Sequence, residues 1–220
     1  MITNIAFDVG GVLLGVSNSE DVKDGIVEFL FNKIEIKESE DKIKQIVDEI
    51  APQWFSETDT GFNLWSKYFS PEVAQKIANE YKYFHFQKYQ LIQSMLDLCK
   101  KLSQNYQIGI LSNFSGEMVV EDHYFNKNNF FPIIYSGKVG VKKPNPEIYK
   151  IFCERANCKP ENVLFIDDRQ ENVTAAEKFG MNGIFFTNQK NLEKKLTNLI
   201  LLLILKPLFS KKDCCCRGGK

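Results

Sequence analysis

The chain has no excess of charge of either sign: lysine and arginine number 28, aspartate and glutamate 28, and the formal net charge is zero. General nucleic-acid binding is driven by a basic field, so no nucleic-acid partner is expected. Histidine is scarce, at two residues. His85 sits in Tyr83-Phe84-His85-Phe86 and reads as a packed ring rather than a catalyst, and His123 has no visible partner. No internal repeat and no low-complexity linker divides the chain. The longest apolar run, Leu199 to Leu205, falls well short of the roughly 20 residues a helix needs to span a bilayer. The opening MITNIAFDVG enters a strand-like pattern without the charged and apolar regions of a secretory signal. The six cysteines lack framework spacing, with Cys99, Cys153 and Cys158 in helix-like segments and Cys214, Cys215 and Cys216 crowded into the tail. Reduced thiols and a cytoplasmic protein are expected.

What is present suffices for a core. Hydrophobic residues make up 44% of the 220 and charged residues 25%, the balance of a globular chain. Ile5-Ala6-Phe7 reads as a short buried strand running into a glycine turn. From about Asn18 to Leu91 the pattern is helical and rich in lysine and glutamate. Ile43, Ile46, Val47 and Ile50 share one helical face, and Val73, Ile77, Tyr81 and Phe84 another. Ser70-Pro71-Glu72 has the order of an N-cap, a first-turn proline and a first-turn acid. Trp54, Phe55, Phe62 and Trp65 read as the core of these helices before they read as a pocket lining.

Beyond Leu91 the pattern alternates. A helix to Leu102 precedes a strand from Tyr106 to Leu111. A short strand follows at Ile133-Ile134-Tyr135, then a helix opened by Asn145-Pro146. Val163 to Ile166 is an apolar strand, a helix from Glu171 stops at Gly180, and Gly183 to Phe186 forms a last strand. This alternation predicts an α/β fold, a three-layer Rossmann-like parallel sheet core with a small inserted α-helical domain. The core takes residues 1–15 and 92–199, the helical insert 16–91, and a tail 200–220.

Ligands of open parallel sheets bind beyond the carboxyl ends of the strands. Those ends carry Asp8, Ser112 with Asn113, and Asp167-Asp168, with Lys142-Lys143 in a turn between them. Oxygen ligands suit Mg²⁺, and a metal with a lysine neutralises phosphoryl oxygens while a carboxylate attacks phosphorus. Taken singly, each feature has an ordinary explanation: a strand-end acid capping a turn, turn chemistry at Ser112-Asn113, and a solvated lysine before Pro144. Paired acids in a buried strand end are expensive unless charge-balanced, which favours a metal beside them. Lys142 and Arg169 read as surface residues.

Together these segments resemble the haloacid dehalogenase-like hydrolase superfamily. The resemblance runs through Phe7-Asp8-Val9-Gly10-Gly11-Val12-Leu13, Ile110-Leu111-Ser112-Asn113, Gly140-Val141-Lys142-Lys143-Pro144-Asn145-Pro146-Glu147-Ile148-Tyr149, and Phe165-Ile166-Asp167-Asp168-Arg169 with Asn172. It covers the chain from its start to about Leu199 and is nearest to the helical-cap, glucose-1-phosphate phosphatase-like members. It implies that Asp8 is the nucleophile and a metal ligand, that the Gly10 carbonyl and Asp167 and Asp168 complete a Mg²⁺ site, and that Ser112, Asn113 and Lys143 bind the phosphoryl group. The expected activity is Mg²⁺-dependent hydrolysis of a small phosphorylated metabolite, sugar phosphates included, with the helical insert as a cap over the site.

One position departs from the superfamily pattern. Gly10 stands where many superfamily phosphatases carry an acid, and such a positioned acid contributes ~10²–10⁴-fold. This keeps two alternatives open: a catalytically impaired binding or regulatory protein, and a metal-independent 2-haloacid dehalogenase. For the tail, a last helix packed on the core is favoured over membrane attachment through acylated cysteines.

Overall fold

The computed structural model describes residues 1–15, 19–54, 61–114, 125 and 129–198. Phe55, His123 and the tail from 199 onward lie outside the described residues, as does the side chain of Trp54.

Five parallel strands form one sheet: β1 (Asn4–Phe7), β2 (Gln107–Ser112), β3 (Ile133–Tyr135), β4 (Val163–Asp167) and β5 (Asn182–Phe185), in the spatial order β3-β2-β1-β4-β5. All four residues of β1 are buried, as a central strand covered on both faces requires. Alternation along the strands sorts their side chains into two layers. Ile5, Phe7, Ile108, Ile110, Leu164 and Ile166 share one apolar cluster with Met95, Leu98 and Leu102 of helix α5 (Gln93–Leu102) and with Leu192 and Leu196 of a helix over 189–198. Ala6, Leu111, Val163 and Phe165 face the other way, onto Ile148, Tyr149 and Phe152 of α7 (Pro146–Ala156) and Ala176 of α8 (Gln170–Phe179). The three-layer α/β core expected from the sequence is therefore present.

Between β1 and β2 the chain builds helices α1 (Ser19–Phe29), α2 (Glu40–Trp54), α3 (Gly61–Trp65) and α4 (Pro71–Lys88), with a π-turn at Leu30–Ile34. They hold an apolar cluster of their own around Ile26, Ile46, Trp65, Ile77 and Tyr81. Trp65 is fully buried and Phe62 packs against this cluster, so both are core residues of the helices. The Ser70 hydroxyl accepts from the Val73 N–H at 3.4 Å and Pro71 takes the first turn, as the sequence predicts. Element edges differ by a residue: β1 starts at Asn4, β2 runs to Ser112, β4 includes Asp167, and β5 lies at Asn182–Phe185. The short helix α6 (Ser136–Val139) and a 3₁₀ turn at Pro160–Asn162 carry no periodic signal because each is a single turn.

Candidate active site

Register brings the polar strand ends together. Phe7 pairs with Ile110 on one side and Ile166 on the other, so Asp8, the residue just after β1, comes level with Leu111 and Asp167. The chain leaves β1 toward β2 and β3, then returns to β4 and β5 on the opposite side. The strand order reverses beside β1, and that reversal opens a crevice at the carboxyl ends.

Lys143 is the hub of the crevice. Its side chain has no solvent exposure. The Nζ donates to Asp167 Oδ2 at 2.7 Å and to the Leu111 carbonyl at 2.9 Å, and lies 3.0 Å from Asp8 Oδ1. An ammonium has three hydrogens, and three acceptors surround this one. Asn113 holds the lysine's main chain from both sides: its Oδ1 accepts from the Lys143 N–H at 2.8 Å, and its Nδ2 donates to the Lys143 carbonyl at 3.0 Å. Asn113, expected from the sequence as a phosphoryl contact, thus also positions the lysine.

Asp167 is equally occupied. Its Oδ1 accepts from the Arg169 N–H at 2.8 Å and from Asn172 Nδ2 at 3.0 Å, and its Oδ2 accepts from Lys143 and again from Asn172. A carboxylate offers about four lone-pair positions, and three donor nitrogens reach this one, Asn172 Nδ2 being shared between both oxygens. Asp8 accepts from the Val9 N–H at 2.7 Å, and Ser112, also buried, follows β2 residue Leu111 beside it. Ligand oxygens of Asp8, Asp167 and Asp168 lie within 4.8 Å of one another.

The glycine turn fits around Asp168. Gly11 has φ +71°, and a Cβ built on it would fall into the Asp168 carboxylate, 2.7 Å from its carboxyl carbon. Only glycine permits both the left-handed backbone and that approach. A Cβ at Gly10 meets no atom within 4 Å.

Burial raises the Asp8 pKa from 3.8 to about 6. Asp167 pushes the same way, while Lys143 and the Ser112 hydrogen bond oppose it. Burial also raises Asp168, with Asp167 adding to it. Burial works against the Lys143 ammonium, yet Asp8 and Asp167 outweigh it and hold the pKa above the ordinary lysine value. Three carboxylates around one ammonium leave two negative charges uncompensated. A divalent cation with oxygen ligands matches both that excess and the donor set.

A family model described as haloacid dehalogenase-like hydrolase matches residues 5–186. The chain belongs to the haloacid dehalogenase-like hydrolases. Among curated relatives it is 23% identical over 195 residues to a glyceraldehyde 3-phosphate phosphatase of Methanopyrus kandleri, covering 82% of each chain. It is 40% identical over 60 residues to a flavin mononucleotide hydrolase of Arabidopsis thaliana, which spans 27% of this chain and 24% of that protein. Its match to drimenol cyclase drtB of Aspergillus calidoustus spans 13% of that protein. Two of the first relatives are thus matched over about a quarter of their length or less. A solved HAD family enzyme of Bacteroides thetaiotaomicron, in complex with magnesium and inorganic phosphate, superposes with TM-score 0.60 at 23% identity over 85% of this chain and 95% of that one. A 2-haloacid dehalogenase of Pseudomonas syringae superposes with TM-score 0.62 at 16% identity over 84% of this chain and 86% of that one. These likenesses show the shared fold.

Residues to which the sequence assigns no role also brace the crevice. Asn172, in the first turn of α8, braces Asp167, and its carbonyl accepts from the buried Tyr149 hydroxyl at 2.9 Å, tying α7 to α8. The Ser136 hydroxyl, fully buried, holds the backbone of Phe114 just past Asn113. Tyr149 closes the third segment of the family resemblance, whereas Ser136 sits in a segment whose pattern signals only packing. His85 is the packed ring expected: it lies against Tyr81, Tyr89 and Phe114, and burial pushes its pKa down to about 4. Arg169 and Lys142 are exposed. Among the described residues no helix is long and apolar enough to cross a membrane.

Proposed function

We infer that the chain is a phosphomonoester hydrolase acting on a small phosphorylated metabolite, through an aspartyl-phosphate formed on Asp8. The convergence of Asp8, Lys143, Asp167 and Asp168 in one crevice at the strand ends supports this reading more than any other observation. The residues fit Mg²⁺, which when bound would neutralise the phosphoryl oxygens and lower the barrier to attack. Asp8, the Gly10 carbonyl and Asp168 would hold it. Asp167, with its lone pairs engaged, would act by orienting Lys143.

Each residue then has one task. Asp8 attacks phosphorus with a carboxylate oxygen, and the bond from phosphorus to the leaving oxygen breaks. Ser112 turns its hydroxyl toward the phosphoryl oxygens, and Lys143 offsets charge on nucleophile and phosphate. Water then attacks phosphorus, the bond to Asp8 breaks, and phosphate leaves. The helical insert serves as a cap that excludes bulk water and selects substrate. The free thiols of Cys99, Cys153 and Cys158 accord with a cytoplasmic setting.

The fold shared with a 2-haloacid dehalogenase makes metal-independent halide release the rival. The uncompensated charge of the acid cluster speaks against it. Purified protein assayed with sugar and nucleotide phosphates in Mg²⁺ should release phosphate, stop on addition of EDTA, and be inert as Asp8→Asn. Halide release that survives EDTA would establish the rival instead.

A further inference from the structure

We propose that Tyr149 is the positioning residue that fixes Lys143 at the centre of the crevice, and that phosphoryl transfer slows when its hydroxyl is removed. The proposal rests on the phosphatase reading above and adds to it a buried residue that touches no reacting atom.

Tyr149 reaches Lys143 by two routes. The first is polar. Helix α7 opens directly behind the Lys143-Pro144 turn, where Asn145 Oδ1 accepts from the Glu147 N–H at 3.0 Å and caps it. Helix α8 opens directly behind Asp167-Asp168. The Tyr149 hydroxyl donates across to the Asn172 carbonyl at 2.9 Å. Asn172 Nδ2 then donates to Asp167 Oδ1 and Oδ2 at 3.0 and 3.1 Å, and Asp167 Oδ2 accepts from Lys143 Nζ at 2.7 Å. The backbone from Lys143 to Tyr149 closes this chain into a ring. The second route is aromatic. The Tyr149 ring meets the Phe165 ring of β4 edge-on, with centroids 5.7 Å apart. The Lys143 ammonium lies 5.3 Å from the centroid of that same Phe165 ring, within the range of a cation–π contact. One phenol thus supports both the carboxylate and the aromatic face that hold the ammonium.

Packing alone does not call for the hydroxyl. Tyr149 is fully buried, phenylalanine would fill the same space, and a buried hydroxyl costs free energy unless it is bonded. Burial, with Asp167, Asp8 and Glu171 adding to it, holds the phenol well above its ordinary pKa. It therefore stays protonated and donates throughout the range in which the protein is folded. Lys143 offsets charge that develops on nucleophile and phosphoryl group, so its placement matters most in the transition state. Misplacing a reacting or supporting group by about 1 Å can cost ~10²-fold. A loss confined to the transition state lowers kcat and leaves KM unchanged.

The test compares Tyr149→Phe with Phe152→Leu, a change of packing in the same helix and the same apolar cluster. Protein carrying isotopically labelled lysine gives an NMR signal for the buried Lys143 ammonium, assigned by its absence from Lys143→Met. In metal-free Tyr149→Phe that signal should shift, and its hydrogens should exchange about tenfold faster, as loss of one hydrogen bond gives. In Mg²⁺ with sugar and nucleotide phosphates, Tyr149→Phe should lose ~10–10²-fold in kcat at constant KM. Phe152→Leu should melt lower yet keep the wild-type signal and turnover. Wild-type kcat in folded Tyr149→Phe, an unmoved lysine signal, or equal losses in Phe152→Leu would each overturn this proposal and leave the phosphatase reading standing. Failure of folded wild type on every phosphate would overturn both. Should Tyr149→Phe lose its cooperative melt, Asn172→Ala cuts the same chain one link nearer Lys143, and the same signal and kcat decide.

Discussion

Lys143 and Asp167 form a 2.7 Å ion pair in which neither side chain retains solvent exposure. Removing one partner of such a pair leaves a buried charge unmatched, at about 3–5 kcal/mol. Lys143→Met and Asp167→Asn should each lower unfolding free energy by about that amount in urea titrations. The double variant should fall short of the sum, because the second substitution removes the charge that the first left stranded. Turnover by Lys143→Met should drop by ~10²-fold or more, as when a donor aimed at developing charge is removed. Additive losses in the double variant would mean the two side chains act independently.

Asp8 links stability to pH. Its folded pKa of about 6 lies above the unfolded value of 3.8, so the native state binds the proton more tightly. That contribution is complete below the unfolded pKa and is lost as pH rises through about 6. At 1.36 kcal/mol per pH unit, the rise of roughly two units amounts to about 3 kcal/mol. Metal-free protein should therefore weaken between pH 4 and pH 6 by about that much, with Asp168 acting in the same direction. Urea unfolding of Asp8→Asn should show a flatter profile over the same window. A wild-type profile that rises across it would contradict the buried, charge-crowded carboxylate described here.

The sheet and the acids at its edge were legible in the sequence for a simple reason. A central strand covered on both faces must be apolar until it ends, so Asp8 and Asp167 stand out as the first charges after Ile5-Ala6-Phe7 and Val163 to Ile166. Ser136, and the contacts made by Asn113 and Tyr149, were not legible in the same way. Each acts on the backbone of a residue distant in sequence, such as Asn113 on Lys143, and a hydrogen bond across 30 residues leaves no periodic trace. The order of the two acids was also hidden. Only the filled lone pairs of Asp167, and the glycine contact of Asp168, separate a lysine-orienting carboxylate from one placed to hold a metal.

The same separation makes metal binding testable without an enzymatic assay. Mg²⁺ that binds the folded state alone should raise stability by about 2.7 kcal/mol at a hundredfold excess over Kd. Thermal unfolding should shift upward with added Mg²⁺ and return on EDTA. Asp168→Asn should abolish that shift while leaving the metal-free protein as stable as wild type or more so, since a desolvated like charge is removed. Asp167→Asn should instead destabilise the metal-free protein. The reverse pattern would exchange the two roles.

Adjacent glycines in the turn after Asp8 should respond in opposite ways to one added methyl group. Gly11 is left-handed, a conformation that costs other residues about 1–2 kcal/mol, and its Cβ would displace the Asp168 carboxylate. Gly11→Ala should lower the unfolding midpoint and weaken the Mg²⁺-induced shift, because the carboxylate that moves is the one proposed to hold the metal. Gly10 has neither constraint, and Gly10→Ala should stay within about 0.5 kcal/mol of wild type, as substitutions into open space do. Thermal melts of both variants with and without Mg²⁺ make the comparison. Equal losses in the two would show that the turn depends on backbone freedom at both positions, rather than on the approach of Asp168 to Gly11.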